Sequence, residues 1–175
     1  MFDRYHIDST KKKNVVNSNA VILSPGDGNV WFGTIGLSRF DKRSNSIKRV
    51  SLDGNEADRI LSASKISCAL NAGPYRMWIG TDGSGLFLFD FKTQDCIRIS
   101  VADGLPHDRI FAVSRDKNNN LWVSTDDGLC KFIPPKNILD PTNKGSYKTY
   151  KANLSWPAQG YSYPDGTMYF HMFRY

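Results

Sequence analysis

Gly28-Asn29-Val30-Trp31-Phe32-Gly33-Thr34 returns twice further along the chain, as Arg76-Met77-Trp78-Ile79-Gly80-Thr81 and as Asn120-Leu121-Trp122-Val123-Ser124-Thr125. Trp31, Trp78 and Trp122 stand 47 and 44 residues apart, and a degenerate copy, Gly166-Thr167-Met168-Tyr169-Phe170, sets Tyr169 another 47 on. A period of that size marks a propeller blade or a similar stacked unit. The repetition says more about architecture than any single residue says about chemistry.

Each copy continues in the same way, into Gly-Leu and then Phe: Gly36-Leu37 with Phe40, Gly85-Leu86 with Phe89, Gly128-Leu129 with Phe132. The step from Trp to the Gly-Leu pair varies from five to seven to six residues, and insertions of that kind fall in turns. Val30 to Thr34, Met77 to Thr81 and Leu121 to Thr125 are rich in branched and aromatic residues, as strands are. Leu37 to Asp41 and Leu86 to Asp90 read as half-buried strands. One further strand lies upstream in each unit (Val21 to Ser24, Ile66 to Leu70, Ile110 to Arg115) and one downstream (Ile47 to Leu52, Cys96 to Val101, Tyr147 to Lys151). Four antiparallel strands per unit is the make-up of a propeller blade.

The sequence therefore predicts an all-β fold, a partial β-propeller: one stray strand, three four-stranded blades and half of a fourth. The blades span about 15–54, 61–103 and 107–151, the half-blade about 154–175, and residues 2–8 align with 47–53 as the last strand of a preceding blade. Closed propellers need four to eight blades, and a partial ring leaves apolar faces. The expected partners are thus the remaining blades of a longer chain or a second copy. The array carries no atypical capping unit, which favours the longer chain.

Pro25-Gly26-Asp27-Gly28-Asn29 and Asp116-Lys117-Asn118-Asn119-Asn120 supply tight hairpin turns, whereas Asn71-Ala72-Gly73-Pro74-Tyr75 reads as a looser one. Gly33 and Gly80, replaced by Ser124 in the third copy, are expected to let neighbouring blades approach closely, with the tryptophans filling the interface. The repeat residues Trp31, Gly33, Gly36, Leu37, Trp78, Gly80, Gly85, Leu86, Trp122, Gly128, Leu129 and Tyr169 are accordingly read as structural. Trp156 falls outside the period and takes no role from it.

The formal charge of +6 would suit an acidic partner such as a sulfated or uronic glycan, but the cations are dispersed, and Lys11-Lys12-Lys13 is the one run of three. No nucleic-acid-binding pattern accompanies it. There is no apolar run of about 18 residues for a membrane helix and no secretory leader beside the lysines. Cys68, Cys96 and Cys130 form no Cys-x-x-Cys pair and read as buried thiols, with a Cys68 to Cys96 bridge left open. His6, His107 and His171 lack partners at metal-ligand spacing, and no nucleophile elbow or phosphate loop is present, so neither metal, cofactor nor catalytic residue is expected. Asp27, Asp82, Asp116, Asp126, Asp127 and Asp165 recur at blade turns; turn chemistry accounts for them more simply than acid/base catalysis.

Taken together, Gly104-Leu105-Pro106, the apolar strand Ile110 to Val113, Asp116 to Thr125 and Gly128-Leu129 resemble the two-component regulator propeller repeat, as do the first copy from Gly28 through Phe40-Asp41 and the second from Trp78 to Phe89-Asp90. The resemblance implies a piece of the extracytoplasmic, periplasmic sensor region of a hybrid two-component histidine kinase of the Bacteroides type. In that family two seven-bladed propellers precede a β-sandwich, a membrane helix and the kinase modules. It implies a non-catalytic module that detects glycan-derived ligands, possible oligosaccharides among them, with the membrane reached only through other parts of the parent protein. The last copy departs from the pattern at Tyr169. Two other readings stay open: a sialidase- or lyase-like catalytic propeller, suggested by Ser114-Arg115-Asp116 with Trp122, and a protein-binding scaffold.

Overall fold

The computed structural model describes residues 21–41, 43–52, 54–135, 145–150, 158–162 and 168–172. Strands β1 (Val21–Leu23), β2 (Trp31–Thr34), β3 (Gly36–Asp41) and β4 (Ser46–Arg49) form a first antiparallel sheet in sequence order. Strands β5 (Ile66–Gly73), β6 (Arg76–Thr81), β7 (Leu86–Asp90) and β8 (Cys96–Ile99) form a second. The third comprises β9 (Ile110–Arg115), β10 (Leu121–Thr125), β11 (Gly128–Ile133) and β12 (Ser146–Tyr150), and the hairpin of β13 (Ala158–Ser162) and β14 (Met168–Met172) follows. The leading strands β1, β5, β9 and β13 lie against one another in turn, so the sheets fan about one side as propeller blades do. The strand expected at 2–8 and the ends of the expected half-blade lie outside the described residues. Tyr169 is described only as the β14 residue paired with Tyr161.

Two apolar layers hold the fan together. Between the first and second sheets pack Leu23, Trp31, Leu37, Ile66, Met77, Ile79, Phe87 and Phe89; between the second and third pack Trp78, Leu86, Leu88, Ile110, Val113, Leu121, Val123 and Phe132. Successive residues of β6 and β7 alternate between the two layers, so the middle sheet is covered on both faces. The half-buried reading of Leu86 to Asp90 is corrected here: Leu86 to Phe89 are all buried, which is why this strand is a continuous apolar run. Each of the first two indoles meets an aromatic ring of the next sheet edge to face, Trp31 with Phe91 at 4.8 Å and Trp78 with Phe132 at 6.0 Å between centroids.

Two further differences have plain causes. Asn71 to Tyr75 is not a loose turn, because β5 runs on to Gly73 and Pro74-Tyr75 closes a two-residue hairpin, with Tyr75 at φ 58° and a register irregularity between Asn71 and Gly73 absorbing the extra residue. The other is a helix, α1 (Glu56–Ala63), in the passage from β4 to β5. Asn55 caps it by accepting from Asp58 N–H at 3.0 Å, while Asp58 Oδ2 accepts from Asn55 N–H at 2.8 Å. Leu61, fully buried, with partly buried Ala57 and Ile60, anchors one face of the helix in the first apolar layer.

Candidate functional site

At one end of the fan, the β2–β3 and β6–β7 turns meet the segments that lead into β5 and β9. Gly36 N–H donates to Ser64 O at 2.8 Å, and Gly85 N–H to Asp108 O at 2.7 Å, so adjacent sheets are joined there by main chain. The Gly-Leu motif makes this possible. Gly36 (φ +67°) and Gly85 (φ +88°) occupy the left-handed region, and a Cβ on Gly36 would stand 2.5 Å from Ser62 O, one on Gly85 against Ile99 O. The threonine of the Trp motif closes the same turn: Thr81 Oγ1 donates to Gly85 O at 2.7 Å and Thr125 Oγ1 to Gly128 O at 2.9 Å.

A ladder of charge crosses this end. Lys65 Nζ reaches Asp82 at 3.0 Å, Arg109 lies between Asp82 at 2.7 Å and Asp126 at 3.1 Å, and His107 Nδ1, which accepts from Arg109 N–H, is 3.9 Å from Asp126. The hydrogen bond from Lys65 holds the Asp82 carboxyl below its usual range, with Arg109 adding to it against the opposing pull of burial. These side chains are all partly exposed, so their pairing positions the loops more than it stabilises the fold.

At the opposite end the hairpin aspartates are fully engaged. Asp27 accepts from Asn29 N–H and Nδ2 and from Trp31 Nε1, each at 2.9 Å. Asp116 accepts from the N–H groups of Asn118 and Asn120 and from Asn120 Nδ2, and reaches Trp122 Nε1 at 3.2 Å. Burial is the largest single influence on both carboxyls and pushes them up, but the donated hydrogen bonds together outweigh it and both lie below the usual range. In the Ser114-Arg115-Asp116 stretch, Asp116 thus fastens a hairpin to its own indole, Trp122. Asp165 lies outside the described residues.

The interface residues are placed as follows. A Cβ on Gly33 would stand 2.7 Å from Ile66 Cγ2 of the second sheet, and one on Gly80 would meet Ile110 Cγ2 of the third at 2.8 Å and Cys68 Sγ. Ser124 takes the corresponding position on β10, buried, its Oγ without a hydrogen-bond partner among the described residues. Leu37, Leu86 and Trp31 are core; Trp78 is 4% exposed; Leu129 is part-buried on β11, beginning at Gly128. Trp122 is only partly buried, stacked on Tyr150 at 5.5 Å with Lys131 Nζ 5.6 Å from its ring, so the third copy of the motif has a different neighbourhood from the first two. Cys68 and Cys96 are free and sit on opposite edge strands of one sheet, about 14 Å apart at ordinary strand spacing, which closes the question of a bridge.

Residues 104–127, around the third tryptophan, match the family described as two component regulator propeller. The chain is similar in fold to the crystal structure of the extracellular domain of a hybrid two component system, BT3049, from B. thetaiotaomicron, with TM-score 0.63 and 18% identity over 90% of this chain and 21% of that one. Looser likenesses are to the extracellular domain of BT4673 from the same organism, described as a one component system (TM-score 0.35, 19% identity, 74% of this chain and 21% of that one), and to PorZ, a surface component of the type-IX secretion system of Porphyromonas gingivalis (TM-score 0.48, 14% identity, 82% and 19%). Neither adds to the argument. No curated protein matches the chain. The chain spans about a fifth of the length of these structures. It carries the two component regulator propeller repeat in a propeller-like all-β fold. No described helix is long and apolar enough to cross a membrane.

Proposed function

We propose that the chain forms part of a non-catalytic, ligand-sensing propeller of a hybrid two-component sensor histidine kinase, on the extracytoplasmic side of the membrane, and that its ligands derive from glycans. The observation that carries this reading is the match of 104–127 to the propeller repeat on a fold shared with the extracellular domain of a hybrid two component system. The chemistry of the turns supports it. Four of the six turn carboxylates that could serve a catalytic propeller are engaged, Asp27 and Asp116 by their own hairpins and indoles, Asp82 and Asp126 by Arg109.

In such a module the signal is the ligand's difference in affinity for two arrangements of the sheets, so binding need not change the ligand at all. Further blades, in the same longer chain or in a second copy, would complete the ring. The test is a panel of plant and host oligosaccharides, followed in parallel by thermal shift and by chromatography of the saccharide. A ligand present at about a hundred times its Kd should stabilise by about 2.7 kcal/mol, raising Tm by about 5–10 °C for a chain of this size, with the saccharide recovered intact. Release of cleaved product by the purified chain would overturn the sensor reading in favour of an enzyme.

A further inference from the structure

Most of the cations at the clamped end have a carboxylate: Lys65 and Arg109 as above, and Arg98, whose Nη2 is 3.6 Å from Asp108. Two do not. Arg49, at the end of β4, and Arg59, on the second turn of α1, form no ion pair among the described residues. They line one depression of about 440 Å³ together with Val50, Ser51, Leu52 and Ser62.

The comparison between sheets sharpens the point. Arg49 pairs with the residue two beyond Gly36, and Arg98 with the residue two beyond Gly85, so the two arginines hold equivalent places on equivalent strands. Arg98 is satisfied by Ser84 O and by Asp108. Arg49 Nη2 donates to Ser62 O at 2.7 Å, which orients its guanidinium, but the place that Asp108 takes beside Gly85 is held beside Gly36 by Ser64, which carries no charge. The Ser62 hydroxyl is enclosed and has no hydrogen-bond partner among the described residues.

We propose that this depression between β4 and α1 is an oxyanion site that receives the sulfate or carboxylate group of an acidic saccharide. Two guanidiniums with unspent donors, one of them already oriented by a main-chain carbonyl, match the forked geometry of such a group. The volume is that of a small-ligand site, and apolar Val50 and Leu52 in its lining suit the face of a sugar ring. The net charge of +6 brings anions toward the whole chain, while the unpaired arginines decide where one stays. The saccharide part of the proposal rests on the glycan-sensing reading; the oxyanion part does not.

The experiment measures binding of inorganic sulfate, a monosulfated disaccharide and its unsulfated parent to the chain and to R49A, R49K and R59A, at low and moderate salt. Sulfate and the sulfated disaccharide are expected to bind, the disaccharide more tightly, with the unsulfated parent at least tenfold weaker. R49A and R59A should each weaken the anion about tenfold, the scale of one charge-assisted hydrogen bond, and R49K should recover only part of the loss. Arg59 is exposed with no side-chain hydrogen bond among the described residues, so R59A should melt with the parent and keeps the test clear of folding defects. Sulfate affinity in R59A within twofold of the parent, or no sulfate binding at all, would overturn the site. Sulfate binding that needs both arginines, together with a sulfated disaccharide no tighter than sulfate, would refute the saccharide source and leave a simple anion site. A disaccharide that binds equally well with and without its sulfate, and to all variants alike, would sink the site while upholding glycan sensing.

Discussion

Replacing Gly33 by alanine tests the approach of the first two sheets directly. Its backbone is ordinary for a strand, so alanine should gain about 0.4–1 kcal/mol from the unfolded state. Against that, the new methyl would stand 2.7 Å from Ile66 Cγ2 and 3.0 Å from both Ile66 Cβ and Cδ1, inside van der Waals contact on three atoms of a side chain that is itself 3% exposed. Neither sheet can retreat easily, because Gly36 N–H to Ser64 O at one end and Tyr75 N–H to Pro25 O at the other tie them through main chain. Overpacking of this kind costs about 1–3 kcal/mol, so the net effect is a loss of about 1–2 kcal/mol and a Tm lower by about 2–8 °C. Ile66→Ala should be destabilising alone by about 2–5 kcal/mol, yet in that background Gly33→Ala should be neutral or favourable, since its methyl enters the space vacated. The assay is a double-mutant cycle read by denaturant unfolding. Equal cost of Gly33→Ala in both backgrounds, or a stabilised single variant, would refute close approach at this glycine.

Other consequences are as direct. Removing the ring of Phe132, which the Trp78 indole meets edge-on, should cost about 3–5 kcal/mol and alter Trp78 fluorescence in the native state; a loss below about 1 kcal/mol would mean the second apolar layer is not continuous. Asp27, Asp82, Asp90 and Asp116 all have carboxyls held below their unfolded range, so their contribution is fully present above about pH 4 and drains away as pH falls through the lower folded values. A Tm that is flat from pH 7 to 5 and drops steeply below 4 is expected, with the drop shallower in Asp116→Asn; a loss centred near pH 6 would contradict it. Burial pushes the Cys68 and Cys130 thiols up to about 11 and raises Cys96 further with help from the Asp58 carboxylate, so an aromatic disulfide reagent at pH 8 should find no fast thiol until the chain unfolds. Rapid native labelling of Cys96 or Cys130 would count against their burial, whereas Cys68, the part-buried one of the three, should be the first to react.

The sheets were legible because their signal is repeated and local. Each Trp motif names a strand, and the spacing between motifs counts the sheets. What a motif cannot state is who its neighbours are: Trp31 and Trp122 sit in near-identical phrases, yet one is enclosed against Phe91 and the other stacks on Tyr150 in a looser setting. The helix was hidden for another reason. Its capping pair, Asn55 just before it with Asp58 inside it, also reads as turn chemistry, and the amphipathic face of its eight residues amounts to Ala57, Ile60 and Leu61. The β4–α1 depression was illegible in consequence, since Arg49 and Arg59 are ten positions apart and meet only because the helix folds back beside the strand.

The two joints of the fan are unlike. Among the described residues the first and second sheets share main-chain bonds at both ends, whereas those between the second and third lie beside Gly85; at the far end Arg115 Nη2 donates to Asn71 O at 2.8 Å. A crevice of about 200 Å³, bordered by Arg76, Trp78, Leu88, Arg115, Asn119 and Pro134, opens beside that bond. The first joint is thus held by main chain at both ends, and the second by main chain at one end, by its buried apolar layer and by Arg115. Loss of Arg115 should therefore speed amide exchange around Asn71 and leave the Gly36 to Ser64 joint as it was.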